Sequence, residues 1–352
     1  MEKKPRKADQ LPSLKDAFER AFLVGTALTR AHIDERDEKG VGLVKNHFNA
    51  ITPENVMKWE EVHPGKDAFD FDAADRFVKF GEDHRMFVVG HTLVWHAQTP
   101  RWVFDGEGGN LGRDVLLKRM RDHIHTVVGR YKGRVHGWDV VNEALNDDGT
   151  LRDSPWCRII GEDYILKAFE YAREADPDAG LYYNDYSLEY PEKRRAAVRL
   201  VRWLQERGAP ITGIGTQSHF GLNYPDLAEF DKTLTAFSRL DIDVMVTELE
   251  IDVLPASIEY QGADISVFVE LDERLNVYPV ALPEAVQLAL ADRYRNVFKI
   301  LLDHRQAVSR VTVWGVADGD SWKNYWPAKG GTNHPLLFDR DWRPKPAFFS
   351  LL

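Results

Sequence analysis

A single cysteine, Cys157, stands in 352 residues. That excludes an intramolecular disulfide and leaves no cysteine spacing for a structural zinc. No apolar run approaches twenty residues, so no membrane-spanning helix is predicted. Excess positive charge is lacking too: 46 Lys and Arg face 56 Asp and Glu, for a net −10, which argues against nucleic acid or another polyanion as partner. No Asn-x-Ser/Thr sequon occurs, and the basic start Met1–Lys7 is not followed by the apolar stretch of a signal peptide. As it stands the sequence points to the cytoplasm; a leader removed from a longer precursor would point to the periplasm or the medium. Glycine fingerprints are missing as well. Thr26-Ala27-Leu28-Thr29 stands where a dinucleotide-binding turn would fall, and Asp105–Asn110 lacks the Gly-Lys-Ser/Thr ending of a phosphate loop, so it reads as a surface turn.

What is present is a chain that is 43% hydrophobic and long enough to bury a full core without covalent staples. Short apolar, β-branched runs recur along it: Phe22–Gly25, His47–Ala50, Phe87–Gly90, Val135–Val141, Leu181–Asn184, Ile211–Gln217, Asp243–Thr247 and Val311–Trp314. Most are unbroken rather than alternating, as parallel strands buried on both faces are. Amphipathic stretches lie between them, including Leu116/Met120/Ile124/Val127, Ile165/Phe169/Ala172, Val198/Val201/Gln205 and Leu227/Phe230/Leu234/Phe237, with Gly208 at a helix C′ position. Eight strands alternating with helices and no linker predict a single-domain (β/α)8 TIM barrel over residues 14–352, preceded by a tail, residues 1–13. A doubly wound open sheet is the alternative, weakened by the missing glycine fingerprint.

In such a barrel the chemistry sits at the C-terminal ends of the strands. Those ends are polar and aromatic here: Glu54, Asn55 and Lys58 after strand two; His91, Trp95, His96 and Gln98 after three; Asn142 and Glu143 after four; Asn184, Asp185 and Tyr186 after five; Gln217 and His219 after six; Glu248 and Glu250 after seven; Trp314 and Trp322 after eight. Glu143 and Glu248 lie 105 residues apart, on strands that face each other across an eight-stranded ring. Two carboxylates ringed by Trp, amides and His suit glycoside cleavage. One protonates the leaving oxygen and the other faces the anomeric carbon, indole faces cover pyranose C–H faces, and amides match hydroxyls. Each feature also has a plain structural reading. Asn-Glu can simply start a helix, Trp is usually core, and His91 with His96 could bind a metal, though no His-Glu-x-x-His motif accompanies them. Trp138 and Trp203 read as packing, and Cys157 as a buried spectator.

The motifs carry a resemblance. Trp138-Asp139-Val140-Val141-Asn142-Glu143-Ala144, Val246-Thr247-Glu248-Leu249, Phe48–Trp59, Gly90–His96, and Val313-Trp314-Gly315-Val316 with Ser321-Trp322 resemble, in order, strand signatures of glycoside hydrolase family 10, the endo-β-1,4-xylanases. The likeness runs from about Leu14 to Leu352. It implies a retaining double displacement on xylan or xylo-oligosaccharides, without cofactor or metal, by a monomer. Glu143 would be the acid/base and Glu248 the nucleophile, roughly 5–5.5 Å apart as in retaining pairs. His219 would support the nucleophile, and Asn142 would bind the 2-hydroxyl at the cleavage subsite. The resemblance puts His91, Trp95, Gln217 and Trp314 around that subsite. It puts Glu54, Asn55, Lys58, Gln98 and Trp322 at the next glycone-side subsite, and Tyr186 at an aglycone-side platform. Behind His219 the family has Asp; here Glu250 stands, a departure that bears on the histidine's orientation and on the pH optimum.

One stretch follows no family motif quoted above. Residues 252–283 follow the nucleophile strand with few helical signals, and loops this long are usually functional or disordered. The expectation is a β7–α7 excursion bordering the aglycone side of the cleft. A packed excursion without substrate contact stands beside it. Rival activities are a barrel glycosidase acting on β-1,4-glucan or mixed substrates, a non-catalytic sugar-binding barrel, and a metal-dependent amidohydrolase.

Overall fold

The computed structural model describes residues 12–106 and 111–352, so most of the tail 1–13 and residues 107–110 of the glycine-rich turn lie outside the described residues. Eight parallel strands form the barrel: β1 Leu23–Leu28, β2 Ala50–Pro53, β3 Phe87–Val94, β4 Gly137–Asn142, β5 Gly180–Asp185, β6 Gly213–Thr216, β7 Asp243–Asp252 and β8 Val308–Val313. β1 pairs with both β2 and β8, and β6 pairs with β7, so the ring closes without an edge. A three-residue extension beyond β6, His219–Gly221, continues alongside the end of β7 and sets His219 opposite Glu250. Almost every strand residue is buried, which explains why the runs read as continuous rather than alternating.

The helical periodicities resolve into Arg113–Arg130, Tyr164–Ala175, Pro191–Glu206 and Leu227–Phe237, each turning its apolar stripe inward. Gly208, at φ +71°, follows Pro191–Glu206 where a left-handed residue terminates a helix. Gly90 serves a different need: a Cβ there would lie 2.1 Å from the Trp138 ring, so this indole packs only because strand three carries no side chain at that position. Trp138 is fully buried and Trp203 half-buried. Cys157 is half-buried rather than buried, in the first turn of helix Pro155–Ile160.

The second apolar run is misplaced by the sequence reading. His47 ends the helix Glu38–His47, its ring packed against Phe338 and Phe348, and the strand begins only at Ala50. A four-residue apolar run carries no period of its own, so burial against the C-terminal aromatics decided the matter.

Residues 253–283 connect β7 to the helix Glu284–Asp303 and are held on both sides of the barrel mouth. The Tyr190 hydroxyl donates to Gln261, and Gly262 lies against Tyr186 and Ser187. Asp264 then accepts from Trp326 Nε1 at 3.0 Å, and Val269 N–H donates to Pro327 at 3.0 Å. A small satellite core of Ala256, Leu275 and Ala328 packs beneath. Among the described residues, no helix is long and apolar enough to cross a membrane.

Candidate active site

At the C-terminal mouth of the barrel lies a cavity lined by Glu54, Asn55, Lys58, His91, Trp95, Gln98, Asn142, Glu143, Gln217, His219, Glu248, Trp314 and Trp322, together with Ala263 and Ile265 of the excursion. Two of the sequence-predicted residues do not line it. Glu250 is fully buried behind His219. Tyr186 is only 5% exposed, beneath Gly262, with its hydroxyl accepting from Arg152 and Lys193 Nζ 3.7 Å from its ring centre.

Backbone conformation makes the cluster possible. A regular strand sends neighbouring side chains to opposite faces, yet Asn142 and Glu143 both reach the cavity. Glu143 sits at φ +57°, a conformation costly for a residue with a Cβ. It is held there by its N–H donating to the Asn184 carbonyl at 2.9 Å, and by Arg152 Nε donating to its carbonyl at 3.0 Å.

The two carboxyl groups have opposite surroundings. Glu143 Oε2 accepts from Trp95 Nε1 at 2.7 Å, and Oε1 accepts from Gln217 at 3.0 Å and Asn142 at 3.1 Å. Burial pushes its pKa up to about 7; these hydrogen bonds oppose the rise, and the negative charges of Asp185 and Glu248 add to it. Glu248 is as deeply set, and burial alone would raise it. The His219 hydrogen bond, the charges of His91 and His219 and an Asn184 amide at 2.8 Å outweigh burial and hold it below the ordinary carboxylate value. One carboxyl holds its proton up to about pH 7, while its neighbour loses its own below the ordinary carboxylate value.

His219 links the two sides. Its Nδ1 lies 2.7 Å from Glu250 Oε1, and its Nε2 lies 3.0 Å from Gln217 Oε1 and 3.4 Å from Glu248 Oε2. Both ring nitrogens therefore face acceptors, the arrangement of an imidazolium. Burial lowers its pKa, but the Glu250 charge and the hydrogen bonds to Glu248 and Glu250 prevail and lift it to about 9. Glu250's extra methylene is accommodated: Trp322 Nε1 donates to both its oxygens, at 2.8 and 2.9 Å. On the far wall Lys58 Nζ donates to Asn55 at 2.8 Å and Gln98 at 2.7 Å. Burial lifts Glu54 beside it to about 7.

Several residues that organise the site were given no role by the sequence. Asn184 donates to Glu248 and to Asn142 Oδ1 at 2.9 Å, with its own oxygen taken by Thr247 at 2.7 Å, which fixes the amide's orientation. Its place at the end of the fifth apolar run, as Asn142 stands at the end of the fourth, was the available signal. Asp139 fixes His91 through Nδ1 at 2.9 Å; strand position alone does not distinguish it from a core polar residue. Ala263 and Ile265 lie in the excursion expected to border the cleft, but neither residue was singled out.

Among the described residues one histidine–carboxylate cluster has metal-like spacing: His32, Asp37 and Asp320. The Thr29 N–H donates to His32 Nδ1 at 3.2 Å. The Thr29 hydroxyl lies 3.0 Å from the same nitrogen, and Nε2 points between Asp37, at 3.4 Å, and Asp320, at 3.5 Å.

A closed parallel barrel with one neutral and one ionised carboxyl group, over a polar cavity walled by indoles, defines the class of barrel glycosidases. The chain belongs to the family described as glycosyl hydrolase family 10, whose profile matches residues 13–352. It is 47% identical over 340 residues to an endo-1,4-beta-xylanase A of Xylanibacter ruminicola, covering 96% of this chain and 92% of the relative. An endo-1,4-beta-xylanase of Geobacillus stearothermophilus is 41% identical, with coverage of 97% and 98%. The solved structure of an endoxylanase retrieved from a sugarcane soil metagenome superposes with a TM-score of 0.93 at 46% identity, covering 96% of this chain and 99% of that one. With the family goes its activity: retaining hydrolysis of β-1,4 linkages within xylan.

Proposed function

We propose that this chain performs the family reaction with Glu143 as acid/base and Glu248 as nucleophile, acting as a monomer on xylan chains and xylo-oligosaccharides. The observation that carries the assignment is the opposed state of the two buried carboxyls. Burial holds Glu143 up to about 7, while Glu248 is held low by His219, His91 and Asn184.

In the first step Glu143 gives its proton to the glycosidic oxygen while Glu248 attacks the anomeric carbon, forming a glycosyl ester. Forming that ester removes the Glu248 charge, one of the influences that keep Glu143 protonated. The Glu143 carboxylate can then take the proton of the incoming water, and the second displacement restores the starting state. Asn142, anchored between Asn184 and Gln217, is positioned to meet the 2-hydroxyl. Lys58, Asn55, Gln98 and Glu54 would meet the next sugar, and Trp322 would leave little room for a hydroxymethyl arm. No step calls for a metal or cofactor.

The test is Glu248→Ala. Loss of xylan hydrolysis with xylo-oligosaccharide binding retained is expected, together with a native product that appears as the β anomer by proton NMR. Surviving hydrolysis would refute the nucleophile assignment. Faster turnover of carboxymethylcellulose than of xylan would refute the sugar preference.

A further inference from the structure

The face of β7 that carries Glu248 also carries Glu250 and Asp252, since alternate residues of a strand share a face. All three are at most 5% exposed. Three buried carboxylates in a row require positive countercharge, and His219 supplies one unit between Glu248 and Glu250. A second cation is supplied by an unexpected residue. Lys323, in the turn Trp322–Asn324 after β8, has a fully buried side chain. Its ammonium lies 3.9 Å from Asp252 Oδ2, above the rings of Trp326 at 4.3 Å and Trp322 at 4.7 Å. It has no hydrogen-bond partner among the described residues. Burying an ammonium is costly unless opposite charge stands close to it, and Asp252 supplies that charge.

We propose that Lys323 is a positioning residue for the nucleophile: its charge, set behind Glu250 and Asp252, keeps that carboxylate row ionised so that His219 stays an imidazolium and Glu248 stays a carboxylate. The inference rests on Glu248 being the nucleophile. Burial depresses the Lys323 pKa while Glu250 and Asp252 oppose the fall, and Asp252 is raised by burial with Lys323 first among the influences against it.

The other groups facing this row do not replace that charge. Glu250 meets His219 and the neutral Trp322 donor, and it senses the Tyr294 phenol and Glu54. Asp252 accepts the Leu254 N–H at 2.9 Å and senses the Tyr224 phenol. Glu248 senses His91 and, across the cavity, Glu143 and Lys58. Of these, only Lys58 and the histidines are basic, and they stand on the cavity side of the row, away from Asp252. The Glu in place of the family Asp fits this arrangement, because its longer arm reaches both His219 and the Trp322 N–H beside Lys323.

The test is the pH profile of kcat/KM on xylotetraose, whose acid limb reports ionisation of the nucleophile in free enzyme. Lys323→Met should move the acid limb to higher pH by roughly one unit, about a tenfold loss at pH values below the limb. The alkaline limb should move less. Lys323→Arg should restore the limb. Asp252→Asn should move it the opposite way, and Lys323→Met/Asp252→Asn, which removes one charge of each sign, should return it close to the original position. A merely packing lysine would lower activity equally at all pH and would not be rescued by Asp252→Asn. An unmoved acid limb, or a double variant shifted as far as Lys323→Met, overturns the proposal. Should Lys323→Met fail to fold, Asp252→Asn and the double variant decide by the same criteria. Glu248→Ala separates the two readings: retained activity there removes the nucleophile assignment itself, whereas loss of activity with unmoved Lys323 profiles removes only the role of Lys323.

Discussion

Glu143→Gln separates the proposed acid's chemistry from its electrostatic cost. All three hydrogen-bond partners of the Glu143 carboxyl are donors: Trp95, Gln217 and Asn142. A protonated carboxyl oxygen still accepts, but an amide nitrogen does not. The amide oxygen can keep Gln217 and Asn142, which leaves the amide NH2 opposing the Trp95 N–H. An unsatisfied buried donor costs about 1–3 kcal/mol at every pH. Against this stands a term that depends on pH. Glu143 is lifted from 4.5 to about 7, worth about 3 kcal/mol at 1.36 kcal/mol per pH unit. Below pH 4.5 the carboxyl is protonated in both folded and unfolded chains and contributes nothing. Between 4.5 and 7 the unfolded chain releases the proton that the folded one retains, so stability falls as pH rises, and above 7 the full cost is present. Gln does not titrate. Glu143→Gln should therefore be the less stable protein at pH 4.5 and gain on the parent by about 3 kcal/mol by pH 8, which for a chain of this length is roughly 4 °C in the difference of melting temperatures. Xylan hydrolysis should fall by about 10²–10⁴, the usual contribution of a general acid. Parallel calorimetric melts of the two proteins from pH 4.5 to 8 supply the check. A difference that stays constant with pH would refute the reasoning, because it would mean that the Glu143 carboxyl titrates like an exposed one.

Lys193→Met should destabilise the fold by about 3–5 kcal/mol in urea titrations, because it strands the buried Asp185 carboxylate, whose Oδ1 lies 3.0 Å from the ammonium; a loss below about 1 kcal/mol would show the pair to be dispensable. The excursion touches both sides of the cavity, with Gly262 over Tyr186 and with Ile265 and Phe268 beside Glu54 and Trp322. Replacing residues 262–268 with a short Gly-Ser turn should therefore raise kcat/KM on polymeric xylan relative to xylotriose and alter the products of xylohexaose. An unchanged product pattern would mean that the segment packs without meeting substrate.

The barrel and its pair of catalytic-type carboxyls were legible in the sequence because they depend on local rules. Buried parallel strands are continuous apolar runs, and polar residues at their C-terminal ends face one mouth; Glu143 and Glu248 could be read on those grounds. Spatial adjacency could not. Asn184, Asp139 and Lys323 act on the site from other strands and loops, and their residue types say nothing until the barrel closes and sets Asn184 opposite Asn142 and Lys323 behind Asp252. The same holds for residues 253–283. Without a period, their course is set by contacts to Tyr190, Trp326 and Pro327, and the result covers Tyr186, which the motif alone made a platform. Sequence by itself determined which groups are present at each strand end and that they are numerous, acidic and aromatic. The tertiary structure decided how readily they ionise, because burial and the orientation of partners, not residue type, lift Glu143 to about 7 and hold Glu248 below the ordinary carboxylate value.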